Sequence, residues 1–430
     1  MRHLLTFILI IVIVCDMAHA QGIADPLSYH GLQNYNPMNV RSHAMGGSAV
    51  AVGTGISSMF SNPATLTNLQ SIEFSIGGNC QNINYEQSQR WNPNRFYADL
   101  SLMLENRFDG IKDPEIIRDS TDFLHKPFDK LKPEWNKNTS AVRPSVIAGG
   151  IPFSLMGVKI GAGIGYAEMI NLNHYYQNNN AMSPYLGNYR PYPLPVVTQG
   201  DTLFVEWYQF IRQRKGSVYG IVPAVAVSPL EGISIGLSVA VLTGSSDDQQ
   251  LRNDRGHLRF LYNSYLLDSI SSRSFTNGTS KYSGLIPMIG CLINQDYYSL
   301  GISLRPPATI TRKWDQKIES EVGITKSSLS TNGTDKLKMP WFYTLGVAFY
   351  PSEKINIGID YAVQPYAEVK YSVESNEIFP WVSSKAFRVG IEYKYKKWLK
   401  LRVGAREEIQ TFAPAGEGLI GDPASGADDT

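Results

Sequence analysis

Large apolar residues alternate with small or charged residues along much of the chain. Within 233–241, isoleucine, leucine and valine occupy every odd position, and serine, glycine and alanine occupy the even ones. The same two-residue period recurs at 158–161, 298–304, 355–361 and 387–393. A period of two places the apolar side chains on one face of a β-strand. The pattern therefore predicts an all-β protein whose strands each have one apolar face.

Eleven strands are predicted, at 72–85, 143–153, 157–170, 217–227, 231–242, 281–293, 297–304, 341–350, 355–364, 385–395 and 398–411. Three stretches fit the pattern less well, at 95–104, 201–213 and 257–268. Segment 86–142 is predicted to be an insertion with a helix-like part around 113–131, and its role is open.

The connections between these strands differ in length. Tight turns are predicted near Phe153–Gly157, Ser228–Gly232, Asn294–Tyr297, Tyr350–Lys354 and Tyr395–Lys397. Long polar segments at 171–215, 243–280, 305–338 and 365–384 are predicted to be loops. Short turns at one end and long loops at the other are typical of an outer-membrane barrel.

A barrel explains why an apolar face accompanies every strand. In lipid, all backbone polar groups must pair internally, so the sheet closes on itself. The opposite face then surrounds a lumen and can carry charge, and the residues predicted to line it are Lys159, Asp360, Arg388, Glu392, Lys400 and Arg402. A solvated sheet face of a soluble protein is the alternative for these charges. Aromatic residues at strand ends fit the girdles at the membrane boundaries.

The first twenty residues predict export. Arg2 and His3 precede an apolar run at 4–14, and Ala18-His19-Ala20 fits a cleavage site before Gln21. Residues 1–20 are therefore interpreted as a signal peptide. The alternatives are a membrane anchor, for which the run is short, and a lipoprotein built on Cys15, which lacks the usual small residue before it.

Composition narrows the classes of function. The chain has 430 residues and a formal net charge of +1, so no overall basic field favours nucleic-acid binding. Cleavage leaves only Cys80 and Cys291, which are too few for a disulfide framework and are expected to be free, or at most joined in one optional bridge.

The segment before the first strand carries the most specific motif. Small residues dominate 42–51, which contains Met45-Gly46-Gly47, and 57–66 contains Phe60-Ser61-Asn62-Pro63-Ala64. Such a segment can pack inside a narrow space. Together with the exported barrel pattern, it resembles the FadL-like family of outer-membrane transporters for hydrophobic compounds, over nearly the whole mature chain.

The resemblance implies a transmembrane antiparallel β-barrel of about 12–14 strands, formed by residues 71–430 and closed by an N-terminal plug at 21–70. Gly46, Gly47, Asn62, Pro63 and Ala64 are the residues that match the plug motif. The family takes up a hydrophobic ligand, shifts the plug and releases the ligand sideways. Gly161, Gly163 and Gly165 form the candidate lateral gate, with packing in a crowded lumen as an equal alternative.

Two features depart from the family pattern. With eleven strands, the last strand runs from the periplasmic side toward the outside. Residues 412–430, which follow it, are polar. Because a barrel with both ends in the periplasm needs an even number of strands, the chain is expected to lack the final strand; a polar tail is the alternative.

Uptake of long-chain fatty acids or aromatic hydrocarbons across the outer membrane of a Gram-negative-type bacterium is the leading hypothesis. Outer-membrane lipid and lipopolysaccharide would surround the barrel. The alternative is a FadL-type barrel that serves a protein-secretion system. No catalytic, cofactor or metal site is expected, since Gly232–Gly236 matches the G-x-S-x-G pattern only inside a strand; a hydrolase ranks last.

Overall fold

A computed structural model describes Leu32 and residues 40–87, 135–183, 203–261, 264–372, 382–396 and 398–408. The predicted signal peptide, the weak strand at 95–104 and the helix-like part of the insertion lie outside these residues. One helix, α1 (Val40–Ala44), and 3-10 helices at Ile56–Phe60, Pro63–Asn68 and Tyr366–Glu368 accompany the strands. None of the helices in the described part of the chain is long and apolar enough to cross a membrane.

The strands form one antiparallel sheet. They are β1 (Glu73–Gln87), β2 (Trp135–Leu155), β3 (Val158–Asn171), β4 (His174–Ser183), β5 (Leu203–Leu230), β6 (Ile233–Leu261), β7 (Ser264–Asn294), β8 (Tyr298–Arg305), β9 (Ala308–Val322), β10 (Thr325–Met339), β11 (Phe342–Ser352), β12 (Ile355–Gln364), β13 (Lys370–Ser372), β14 (Ser384–Lys396) and β15 (Leu399–Glu408).

All eleven predicted strands are present and form the continuous path β1-β2-β3-β5-β6-β7-β8-β11-β12-β14-β15. The five predicted tight turns are also confirmed, because each separates two paired strands of this path. Gly157 and Gly232 adopt positive φ angles of 83° and 74° in two of them, a conformation that glycine reaches without steric cost.

The prediction of four long loops is wrong in large part. β5, β6 and β7 contain 28, 29 and 31 residues, whereas about 9–11 tilted residues cross a bilayer. β9 and β10 form a further hairpin where 305–338 was predicted to be a loop. These parts carry polar residues on both faces, so they lack the apolar period; the weak stretches at 201–213 and 257–268 were the only ones among them considered as strands, and they lie in β5, β6 and β7. We call all of these parts the extension: β4, 203–217, 245–261, 264–281 and 311–334.

The outward face of the rest of the wall is an apolar belt. Large apolar side chains are exposed along it, including Phe74, Ile147, Ile164, Ile235, Leu285, Leu345 and Ile391. Stacked aromatic pairs lie on the same face, Tyr166 with Tyr219 and Trp341 with Tyr343. Soluble monomers rarely expose apolar surface continuously, whereas a membrane barrel requires it. The chain therefore folds as a transmembrane β-barrel with an extension at one end.

Candidate functional site

Residues 40–69, which we call the inner segment, cross the interior of the barrel. Most of their apolar side chains are buried, including Met45, Ile56, Met59 and Leu66. The segment contacts inward-facing residues of strands from β1 round to β15. It lies in the half of the barrel next to the short turns, because the strand residues that it contacts lie close to those turns.

Glycines of the wall make this close packing possible. We call them the glycine belt, and a Cβ added to any of them would lie within 3.0 Å of an atom of the inner segment. Several are direct cross-strand partners, such as Gly236 with Gly290 and Gly358 with Gly390. Its members are Gly150, Gly161, Gly163, Gly165, Gly236, Gly290, Gly301, Gly346, Gly358, Gly390 and Gly404.

The three glycines of the candidate lateral gate belong to this belt. A Cβ on Gly161 would overlap Leu66, and one on Gly163 or Gly165 would overlap Met59 or its neighbours Ile56 and Phe60. These glycines therefore provide room for the inner segment. Their role as a lateral gate stays a prediction.

Asn62 connects three parts of the site. Its side chain is fully buried, and its Oδ1 accepts a hydrogen bond of 3.1 Å from the N–H of Ala64, which caps the 3-10 helix that Pro63 begins. Its Nδ2 donates to the carbonyl oxygens of Val50, at 2.9 Å, and Cys291 of β7, at 3.1 Å. The Asn-Pro-Ala motif thus fixes the local turn and joins it to the wall.

The Gly46-Gly47 part of the motif is also a turn against the wall. Both residues adopt positive φ angles, 65° and 93°, which favour glycine. A Cβ on Gly46 would overlap the backbone of Ala405 in β15.

Two buried carboxylates of the wall bind the inner segment. Asp360 of β12 accepts hydrogen bonds of 2.7 and 3.0 Å from the backbone N–H groups of Ala49 and Val50. Glu392 of β14 accepts from Arg41 at 3.0 Å and from Arg402 of β15 at 2.7 Å. Hydrogen bonds to a charged acceptor are about twice as strong as neutral ones, so these groups hold the segment against two neighbouring strands.

The other charges predicted to line the lumen lie in two environments. Arg388 is buried on the inward face of β14 and is paired in register with Asp360. Lys159 and Lys400 lie on the faces of their strands that also carry Gly161 and Arg402, but both are exposed beside short turns.

Beyond the inner segment the interior is apolar. A continuous cluster of buried side chains starts at Met59, Phe60 and Leu66 and extends away from the short turns. We call the part of this cluster that lies past the inner segment the apolar chamber; its members include Leu242, Ile286, Ile310, Leu337, Met339, Phe342, Tyr366 and Val369. Barrel interiors are ordinarily polar, so this composition suits an apolar occupant.

A small pocket lies in the chamber, and its cavity volume of about 20 Å³ has room for about one water molecule. It is lined by Leu32, Ile286, Arg305, Pro306, Ala308, Ile310, Met339, Phe342 and Tyr366. The lining is apolar and aromatic except for Arg305, whose guanidinium lies 4.6 Å from the centre of the Phe342 ring.

A buried ion network closes the chamber toward the extension. Asp248 of β6 accepts hydrogen bonds from Arg214 of β5 at 2.7 and 3.1 Å, and Arg312 of β9 lies 3.4 Å from it. Arg312 also donates to Asp335 of β10 at 2.7 Å. Burial alone would raise the pKa of Asp248, but the two guanidinium groups outweigh it and lower that pKa.

His174 of β4 lies buried near the same network. Burial and the charges of Arg212 and Arg214 lower its pKa to about 3. The imidazole is therefore neutral at pH 7, and protonation would add a third buried positive charge.

Sequence reasoning missed Asp248, Arg214, Arg312 and Asp335, because they lie in segments predicted to be loops. Among the described residues, no group of histidine, cysteine, aspartate and glutamate is arranged to hold a metal ion. Cys80 and Cys291 are free thiols.

Comparisons with known proteins agree with this architecture. No family model and no curated protein matches the sequence. Among solved structures, the chain is similar to the Pseudomonas putida toluene transporter TodX, with 14% identity, a TM-score of 0.52, and coverage of 87% of this chain and 84% of that one. It is also similar to a Pseudomonas aeruginosa FadL homologue, with 10% identity, a TM-score of 0.50, and coverage of 91% and 82%. At such identities the likeness establishes the fold, which this chain shares.

Proposed function

We propose that this protein is an outer-membrane channel for the uptake of hydrophobic molecules, of the class of long-chain fatty acids or aromatic hydrocarbons. The apolar chamber carries this proposal, because a barrel that passed polar solutes would present a polar interior. Solved channels of the same fold support it, since one of them is a toluene transporter. The signal peptide at 1–20 would export the chain.

In this proposal the inner segment is the plug. It lies at the short-turn end of the chamber, and its contacts with the wall include hydrogen bonds that can break and reform, such as that between Thr67 Oγ1 and Ser234 Oγ at 2.7 Å. A ligand in the chamber meets Met59 and Phe60 before it meets the wall carboxylates. Movement of these side chains would open a path, and Gly161, Gly163 and Gly165 would provide the space for sideways release.

The alternative, a barrel that serves a protein-secretion system, requires a docking face and no internal apolar chamber. The chamber therefore favours uptake. An enzymatic role has no support from Gly232–Gly236, because Ser234 lies in strand β6 and hydrogen-bonds Thr67.

An uptake assay with two matched substitutions tests the proposal. Ile310 lines the pocket, whereas Ile324 is 99% exposed at the turn between β9 and β10. Placing an amide in an apolar site costs about 1–3 kcal/mol. We expect Ile310→Asn to reduce the import of a fatty acid or of toluene about tenfold or more, and Ile324→Asn to leave it unchanged.

Cells without their own channels of this type provide the background, and heat-dependent gel mobility of the barrel confirms folding of each variant. Met339→Gln, which nearly keeps the side-chain volume, replaces Ile310→Asn if that variant does not fold. Wild-type protein that imports neither compound, or chamber variants that import both normally, would contradict the proposal.

A further inference from the structure

Five lysines project outward from the wall just beyond the apolar belt. We call them the lysine patch: Lys281 of β7, Lys313 of β9, Lys336 and Lys338 of β10, and Lys370 of β13. All five are exposed, and their chain neighbours Ser280, Arg312, Asp335, Leu337 and Val369 are buried on the inward face. The patch starts where the apolar belt ends, since Leu285 and Trp341 are exposed a few residues away on the same face.

The register places these lysines against one another. Lys281 is the direct partner of Lys313, and Lys338 is the direct partner of Lys370. Directly opposed side chains in antiparallel strands lie about 5 Å apart, and like charges at this distance are destabilising. Two such pairs on four adjoining strands therefore need a counter-charge.

The protein itself does not supply that charge within the part that the structure describes. None of the five lysines takes part in an ion pair there. The nearest carboxylates are Glu368, two residues before Lys370 in the chain, and Asp247 and Asp315, which are both aligned with Thr279, one row farther from the apolar belt than the Lys281–Lys313 pair. Hydroxyl groups of Ser283, Thr309 and Thr311 fill the positions between the lysine pairs on the outward face.

We propose that the lysine patch binds the phosphorylated headgroups of the outer membrane leaflet, of the lipid A type. This inference rests on the proposed function, because outer-membrane insertion with the extension outside places the patch at the height of those headgroups. Lysine is a point-charge donor suited to phosphate, and each lysine near an anionic lipid surface contributes about 1 kcal/mol. The apolar belt below the patch would contact the acyl chains of the same lipid.

Binding of lipid A to the purified full-length barrel in neutral detergent tests this proposal. We expect the double variant Lys338→Gln/Lys370→Gln to bind bisphosphorylated lipid A about 30-fold more weakly than wild type, at about 1 kcal/mol per lysine. The matched control is Lys317→Gln/Lys326→Gln, whose lysines lie farther out on β9 and β10, where each has its own glutamate partner. We expect the control to bind like wild type.

Two further probes separate headgroup recognition from other contacts. Dephosphorylated lipid A should bind wild type as weakly as the patch variant binds the phosphorylated form, and inorganic phosphate at millimolar concentration should not stabilise the barrel. Equal binding of phosphorylated lipid A by wild type and patch variant, or equal weakening by the control pair, would overturn the proposal. Uptake of hydrophobic compounds is measured in a separate assay. If wild type imports none of them but binds lipid A through the patch, the channel proposal is refuted and the lipid site is not.

Discussion

The two halves of the barrel wall stabilise their interiors in opposite ways. Next to the short turns, the inward face is lined with glycine, and the inner segment fills the space in front of Gly236 and Gly290. In the extension, the inward face carries charged side chains that satisfy one another, such as Arg214 and Asp248. The interior of the short-turn half is therefore filled by the inner segment, whereas the interior of the extension is filled by side chains of its own strands.

This difference indicates which half can move. Packing against glycine brings backbones close without locking long side chains, so it can be undone and restored. A buried ion network tolerates little change, because breaking one partner leaves an uncompensated charge. We therefore expect a rigid outer frame and, within the inner segment, a displaceable part at 59–67, which neutral hydrogen bonds and packing hold; Asp360 and Glu392 hold the part at 41–50 more firmly.

The largest effect is expected from the ion network. Asp248→Asn leaves Arg214 and Arg312 without their shared carboxylate, which typically costs about 3–5 kcal/mol. Amide hydrogen exchange should show that β5, β6 and β9 lose protection in the extension, while the short-turn half keeps it. Replacing both members of the exposed Lys317–Glu319 pair by alanine is the control, for which a change below about 1 kcal/mol is expected. Equal loss of protection in both halves would contradict the claim that the two halves are stabilised in different ways.

A smaller effect is expected in the glycine belt. A Cβ at Gly290 would overlap Asn62 and Pro63, whereas one at Gly78 of β1 would meet only the carbonyl oxygen of Arg143, at 3.5 Å. Gly290→Val should cost about 1–3 kcal/mol by overpacking. Faster proteolysis of the inner segment in a barrel that remains folded is the expected readout. If Gly78→Val has the same effect, the loss of stability comes from placing valine in a strand and not from overlap between the glycine belt and the inner segment.

The smallest effect concerns pH and the extension. His174 has a pKa of about 3 in the folded protein and about 6.5 when exposed. The contribution of the neutral imidazole to the free energy of unfolding is therefore fully present above pH 6.5, and it declines as the pH falls toward 3. Between pH 7.5 and 5.5 the β4–β5 region should lose about 1.4 kcal/mol, measured by amide exchange corrected for its intrinsic pH dependence. His174→Gln should remove this pH dependence. If the variant shows the same dependence as wild type, His174 is not its cause.

The sequence predicts the membrane half well, because lipid on one face imposes a strict alternation. All eleven strands of the continuous path were predicted, including β8 and β12 with their short turns. The extension was missed because water contacts its outer face and charges occupy its inner face. In β9, for example, Lys313, Asp315 and Lys317 face outward beside the inward Arg312 and Gln316, so hydropathy alone does not distinguish the strand from a loop.

The site shows the same division. The motif around Asn62 was predicted from the resemblance, but its partner, the carbonyl oxygen of Cys291, is 229 residues away. Arg41 and Glu392 are separated by 351 residues. Such pairs depend on the register of the whole barrel, which the pattern of a single strand does not fix. The even positions of β6 were recognised as small, but only the fold explains that Gly236 faces Pro63 and Ala64.

A reversible crosslink between the inner segment and the wall tests the central claim most directly. The side-chain oxygens of Thr67 and Ser234 are 2.7 Å apart, so Thr67→Cys/Ser234→Cys, with Cys80 and Cys291 replaced by serine, should form a disulfide under oxidation. Hydrophobic uptake should stop in the oxidised protein and return after reduction, while the Thr67→Cys single variant stays active in both states. Equal uptake by the oxidised and reduced double variant would contradict the claim that the inner segment must move.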